Sequence, residues 1–411
     1  MRLIRITTNY STYLKQFYTK NPLLKKQPYA AQYQQLMADC FGWADFWTHA
    51  LRKLGYEVWE PVGNAGQMQK AWAKEHGVHY THKTWLTDVI VAQIKSFRPD
   101  ILFVDDYSTY SEGFIRYVRQ ECSSIKLVLG WCGAPYQDET VFHAYDIVLS
   151  NIPELVEHFR ALGHRAEHIH HAFAPRVLEN MNYPNQSPIN FSFIGSLIKG
   201  PDFHEQRELL VKKLVRETDL KVFSDVSPPG LLKIYRQQLI YDGTQLMKLF
   251  LPIKKFLAKI PKICRYAELQ ERPKVSPPLD KVIIKKASPP VFGLKMFQTL
   301  LNSKVTLNTH INISPYSASN MRMFEATGVG TCLLTDWKEN LAQIFQPDQE
   351  VVTYRSTEEC IEKLHWLLEH PEERKTIALA GQRRTLYEHT FDHRAIQLDT
   401  IIRKTLMQYF G

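Results

Sequence analysis

The chain has 411 residues with 51 lysines and arginines against 42 aspartates and glutamates, a formal charge of +9, and is 44% hydrophobic and 23% charged. A single hydrophobic core stops growing at roughly 250–300 residues, so this length calls for two domains, and the composition excludes a disordered, collagenous or disulfide-stapled chain. Six cysteines, Cys40, Cys122, Cys132, Cys264, Cys332 and Cys360, are too scattered for a CxxC pair or a zinc knuckle and fit a reducing compartment. No apolar run approaches the ~20 residues that span a bilayer, and residues 1–9 read as a first strand and not as a leader. A cytoplasmic location is expected, with any membrane contact peripheral.

In chain order, short β-rich runs at 3–7, 56–59, 101–104, 126–129 and 147–149 alternate with amphipathic segments, the pattern of a parallel sheet wound with helices. Phe46, Ala50 and Leu54 share one stripe of a helix over 43–54 that Gly55 stops, and a second helix covers 112–120. A third, over 153–162, opens on Pro153 and ends at Gly163. The pattern lapses between 174 and 188, where the linker is placed. Strands at 189–194, 220–223, 305–308, 332–335 and 351–354 then alternate with helices at 204–217, 294–301 and 321–326, and long helices at 358–369, 372–389 and 395–410 close the chain. The expectation is an α/β protein of two doubly wound domains, 1–180 and 181–411, facing across a cleft at the carboxyl ends of their strands, with the last helices packing back on the first domain. Residues 228–290 carry nine prolines and no convincing strand-helix alternation, which reads as an insertion.

The segment 319–336 carries the densest set of chemical groups. A short helix there holds Glu325 and ends near Gly328, and a strand follows to Asp336. Facing a cleft, the free amides at the helix start would bind a diphosphate, Asn320 and Arg322 would add donors, and Glu325 would accept from ribose hydroxyls. The other reading is a surface helix with a solvated glutamate and a glycine stop.

Several motifs resemble the glycosyltransferases related to the spore maturation protein CgeB, within the group 1 glycosyltransferases of the GT-B fold. They are Phe193-Ile-Gly-Ser196, Val305-Thr-Leu-Asn-Thr-His310, the segment 319–336, and in the first half Phe41-Gly-Trp-Ala-Asp-Phe46 and Arg98-Pro-Asp-Ile-Leu-Phe-Val-Asp-Asp106. The resemblance covers nearly the whole chain outside the insertion. It implies two Rossmann-like domains and transfer of a sugar from a UDP- or GDP-sugar to a hydroxyl on a glycan, a lipid-linked intermediate or a protein. No metal and no cofactor beyond the donor substrate is implied. Glu325 would hold the ribose, Gly195 and Ser196 would approach the diphosphate, and Lys199 and Arg207 would neutralise the leaving group. His310, Asn320, Arg322 and Gly328 complete the expected nucleotide-sugar site, His310 having a structural or solvated role as its alternative. The alternatives for the whole chain are a nucleotide-sugar epimerase of the same fold and a non-catalytic sugar-nucleotide-binding scaffold.

The sequence departs from the retaining members of this fold, many of which carry a second glutamate seven positions before the ribose-binding one; here that position is Ala318. An inverting reaction wants a base in the first domain, and Asp106 is the candidate, with Asp105 in reserve; Asp106 capping the turn at Ser108 and Thr109 is the alternative. The spacing of Asp105 and Asp106 is wrong for a metal-binding Asp-x-Asp. His164, His168, His170 and His171 are not read as a metal site, since the strand between His164 and His168 separates them by over ~10 Å.

Residues 231–286 hold thirteen lysines and arginines against four acidic residues, so this segment alone carries the chain's whole excess of charge. Leu249, Ile253, Phe256, Leu257, Ile260 and Cys264 recur in it at helical intervals. It reads as an excursion packed on its own domain or as an amphipathic contact with an anionic membrane surface. No nucleic-acid-binding motif is present, and no nucleic-acid partner is expected.

Overall fold

A computed structural model of the chain describes residues 1–136, 139–183, 188–197, 205–226, 231–250, 272 and 279–410. It forms two compact units, Met1–Phe193 with Val291–Gly411, and Ile194–Pro290.

In the first unit a six-stranded parallel sheet runs in the order β2-β1-β3-β4-β5-β6. Its strands are β1 (Arg2–Ile6), β2 (Glu57–Trp59), β3 (Ile101–Val104), β4 (Leu127–Trp131), β5 (Ile147–Ser150) and β6 (Ala166–His168). β3 and β5 are buried along their whole length, because helices cover both faces of a parallel sheet and such strands become continuous apolar runs. The chain leaves β1 to either side, toward β2 and toward β3. The carboxyl ends of β1 and β3 therefore flank the crevice where a doubly wound sheet takes ligands.

A second parallel sheet adds to this unit β7 (Ile189–Ile194), β10 (Ser303–Asn308), β11 (Cys332–Asp336) and β12 (Val352–Tyr354), paired in the order β12-β11-β10-β7. In the unit Ile194–Pro290, β8 (Lys221–Phe223) and β9 (Ala287–Ser288) pair in parallel beside the helix Glu205–Glu217. The proline-rich stretch is more regular than its composition suggests. A helix runs Leu231–Phe250 and another Lys281–Lys286, two elements that the reading of 228–290 as an insertion did not place. Prolines at 229 and 252 flank the longer helix without interrupting it. Of the apolar stripe read there, Ile253, Phe256, Leu257, Ile260 and Cys264 lie outside the described residues.

The helix expected from 43 begins at Phe46 and ends at Arg52. Cys40, Gly42 and Ala44 take positive φ, and this turn brings the Ala44 carbonyl to Arg5 Nη2 at 3.0 Å. The helix Phe391–Phe410 returns to the first sheet's helices. Phe391 packs its ring on Phe46 and Trp47, Lys53 pairs with Asp392 at 2.6 Å, and Tyr56 donates to Asp399 at 2.6 Å. No described helix is long and apolar enough to cross a membrane.

Candidate functional site

The carboxyl edge of β10 continues through Thr309 and His310 into a loop, 311–319, that ends at Asn320 and the helix Met321–Gly328. Asn320 spends its amide on Asn308 Oδ1 (3.0 Å) and the Thr309 carbonyl (2.9 Å), fastening the helix start to the strand end. His310 is tied to Asp336 at the end of β11 twice, through its backbone N–H and through Nδ1 at 2.7 Å. Burial alone would raise the Asp336 carboxyl, but His310 and Lys338 outweigh it and hold the group below the usual range. Because an ionised carboxylate only accepts, Nδ1 carries the ring proton, and the buried Nε2 meets no hydrogen-bond partner among the described residues. His310 is thus an oriented, buried side chain, and the solvated alternative falls away.

Glu325 is 6% exposed, which overturns the solvated-glutamate alternative. Its Oε2 pairs with Arg322 Nη1 at 2.7 Å, one turn away on the same helix, and burial pushes its carboxyl up. Gly328 sits at the opposite end of this helix from Asn320, about 12 Å away at the usual rise per residue. A Cβ on it would fall 2.3 Å from the Phe173 ring. Its small size therefore serves packing, and the left-handed stop expected near it is Gly330, with φ of 83°.

At the crevice of the first sheet, Asp106 Oδ1 accepts from the backbone N–H of Ser108 (2.9 Å) and Thr109 (3.0 Å) and from the Ser108 hydroxyl (2.6 Å). Oδ2 accepts from the Thr8 hydroxyl at 2.5 Å. Burial would raise this carboxyl, and the hydrogen bonds from Ser108, Thr109 and Thr8 bring it below its ordinary value. That geometry is the turn-capping alternative, and a base role for Asp106 would cost the turn its acceptor. Asp105 is likewise committed, to Arg5 at 2.5 Å and Thr7 at 2.8 Å. Arg5, 1% exposed inside β1, also pairs with the fully buried Glu60 at 2.5 Å. Sequence reading missed this pair, whose only signal is an arginine within an apolar strand.

His168, His170 and His171 gather near Arg394, with His170 also near His389. Burial lowers the pKa of His170 to about 2, of His171 to about 3 and of His389 to about 4. Arg394 Nη2 donates to His389 Nδ1 at 2.8 Å and its Nε to the His171 carbonyl at 3.3 Å. No cluster with metal-ligand geometry occurs among the described residues.

The loop 311–319 was also missed. From the first sheet, Asn151 Nδ2 donates to the Ser319 carbonyl at 2.9 Å, and Glu154 Oε1 accepts from the backbone N–H of Tyr316 (3.2 Å) and Ser317 (3.1 Å). From the second, Lys338 Nζ donates to the carbonyls of Ser314 (3.0 Å) and Pro315 (2.8 Å). Asn340 Oδ1 takes the Ala318 N–H at 2.6 Å. In the unit Ile194–Pro290, Gly195 donates to the Phe223 carbonyl at 3.3 Å, and Arg207 Nη1 donates to the Ser196 carbonyl at 3.2 Å, so these three expected residues lie together. Lys199 lies outside the described residues.

Residues 275–400, which include His310, Asn320, Arg322, Glu325 and Asp336, match the family model described as Glycosyl transferase-like. Over the whole chain the structure is similar to the sucrose-phosphate synthase of Thermosynechococcus elongatus, with a TM-score of 0.53 at 10% identity, covering 99% of this chain and 100% of that one. The fold is GT-B. The same likeness holds for a glycosyltransferase from Rickettsia africae (TM-score 0.51, 9% identity, 98% of each chain). It holds too for Anabaena HepE in complex with UDP-glucose (0.51, 10% identity, 98% of this chain and 100% of that one). Identities this low speak for the GT-B architecture alone. No curated protein matches the chain in sequence.

Proposed function

We propose that the protein is a GT-B glycosyltransferase that moves a hexosyl or related sugar from a UDP- or GDP-sugar to a hydroxyl on a glycan, a lipid-linked intermediate or a protein, without a metal ion. The observation that carries this reading is the buried Glu325–Arg322 pair on the helix that follows the His310 loop, inside the segment that matches the family model. A carboxylate so placed, buried and beside a cation, suits a ribose diol next to a diphosphate. The UDP-glucose bound by HepE supports the donor class. In this reading residues 1–180 take the acceptor, and residues 181–411 take the donor through Glu325, Asn320, Arg322, His310, Gly195, Ser196, Lys199 and Arg207. Kinship with the CgeB-related enzymes is part of the same proposal. So is a cytoplasmic site of action with residues 231–286 against an anionic membrane surface; deleting the segment should abolish binding to anionic liposomes, and retained binding rejects that contact.

Incubation with a panel of sugar nucleotides tests the activity. Release of free nucleotide supports the transferase. Isomerised sugar would make the protein an epimerase, and binding without turnover a scaffold.

A further inference from the structure

An inverting glycosyl transfer needs a group to take the acceptor's proton, and both aspartates at the β1/β3 crevice are committed to other partners. We propose, resting on the glycosyltransferase reading, that Glu154 is that base and that Asn151 helps it hold the acceptor hydroxyl.

β5 ends at Ser150, Asn151 follows, and Pro153 opens the helix Pro153–Ala161 with Glu154 in its first turn. One oxygen of Glu154 takes two backbone N–H groups of the loop 311–319. The other, Oε2, is buried and has no hydrogen-bond partner among the described residues; the same is true of Asn151 Oδ1. A buried acceptor without a donor is costly, more so when charged, so such atoms call for a reason. Here two of them stand three residues apart, both on groups that fasten the loop leading to Asn320.

What they lack is hydrogen. A phosphate brings only acceptor oxygens and negative charge, so it does not satisfy them; a hydroxyl-bearing molecule does. Carbohydrate or another polyol is therefore the ligand class, on the acceptor side of the reaction. In the step, the acceptor oxygen forms a bond to the anomeric carbon as its proton passes to Glu154 Oε2. The bond from that carbon to the phosphate oxygen breaks, and the nucleoside diphosphate leaves with the electron pair. The carboxylic acid then returns its proton to water.

The test is E154Q. The amide oxygen of glutamine keeps the two loop N–H groups, while an NH2 group, which takes no proton, replaces Oε2. With a donor that the wild type turns over, E154Q should lose about a hundredfold or more in kcat, the scale of general-base catalysis, and lose the acid limb of the pH–rate profile. Nucleotide affinity should stay unchanged, and E154D, with a carboxylate restored, should recover the acid limb. A folded E154Q that transfers at the wild-type rate, or that keeps the acid limb, makes Glu154 a loop anchor and overturns the proposal. A wild type that releases nucleotide from no donor fails earlier and sinks the transferase reading itself.

Discussion

The buried histidines weaken this fold as the pH falls, and His389→Gln measures the part that His389 contributes. His389 donates from Nε2 to the Ile344 carbonyl at 3.0 Å and accepts at Nδ1 from Arg394 at 2.8 Å, so it is neutral and has no room for a second proton. Burial, with Arg394 adding to it, holds its folded pKa at about 4, and His170 and His171 lie lower still. In the unfolded chain each titrates near ~6.5. Between pH 6.5 and 5 the unfolded state therefore binds protons that the folded state does not, and stability falls as pH falls. Each histidine withdraws about 2 kcal/mol over that interval, or about 6 kcal/mol for the three, against a typical total of ~5–15 kcal/mol. The window is set by the unfolded value, since all three folded values lie below pH 5. Glu60, Asp105 and Glu325, whose carboxyls burial raises, push the other way, so the difference between variant and wild type is the quantity to read. Glutamine offers an oxygen to Arg394 and an N–H to Ile344 without titrating. Urea denaturation at pH 7 and pH 5 should show the stability lost between them shrink by about 2 kcal/mol in His389→Gln. An unchanged loss would mean that His389 is protonated in the fold, and the reasoning fails.

Three other variants probe the site. Glu325→Ala removes the proposed ribose acceptor and should weaken UDP or GDP binding at least about tenfold, roughly 1.4 kcal/mol; unchanged affinity in calorimetry rejects the assignment. Asp106→Asn keeps an oxygen for the Ser108 and Thr109 amides, so transfer should persist within a few-fold; a folded variant with no transfer would make Asp106 the base and displace Glu154. Gly328→Ala drives a methyl to 2.3 Å from the ring of Phe173, whose backbone is held by hydrogen bonds to His389 and Phe391. It should cost about 1–3 kcal/mol of stability, and an unchanged denaturation midpoint would show that the ring can move.

What the sequence exposes is what neighbouring residues decide together. Strands buried on both faces appear as unbroken apolar runs, and Pro153 marks a helix start by its own covalent geometry. The helix Leu231–Phe250 is hard to see in the sequence because nine prolines punctuate 228–290, although none falls between 230 and 251. The loop anchors could not be read at all. Glu154 meets Tyr316 across 162 positions and Asn151 meets Ser319 across 168, and nothing local to either end records the other. Asp106 was half legible. Ser108 and Thr109 announced the turn in sequence, but only the geometry shows that they and Thr8 take up both oxygens.

The helix Phe391–Phe410 has a consequence for how the chain reaches this fold. Lys53 waits for Asp392 across 339 positions and Tyr56 for Asp399 across 343, while Trp47 keeps its ring against Phe391. During synthesis at ~5–20 residues per second, the first sheet exists for tens of seconds before that helix emerges. Over that interval Phe46 and Trp47 present an aromatic face with its own cover still unmade. The N-terminal half is thus an unfinished domain on the ribosome, with an aromatic face that stays uncovered until the last helix arrives.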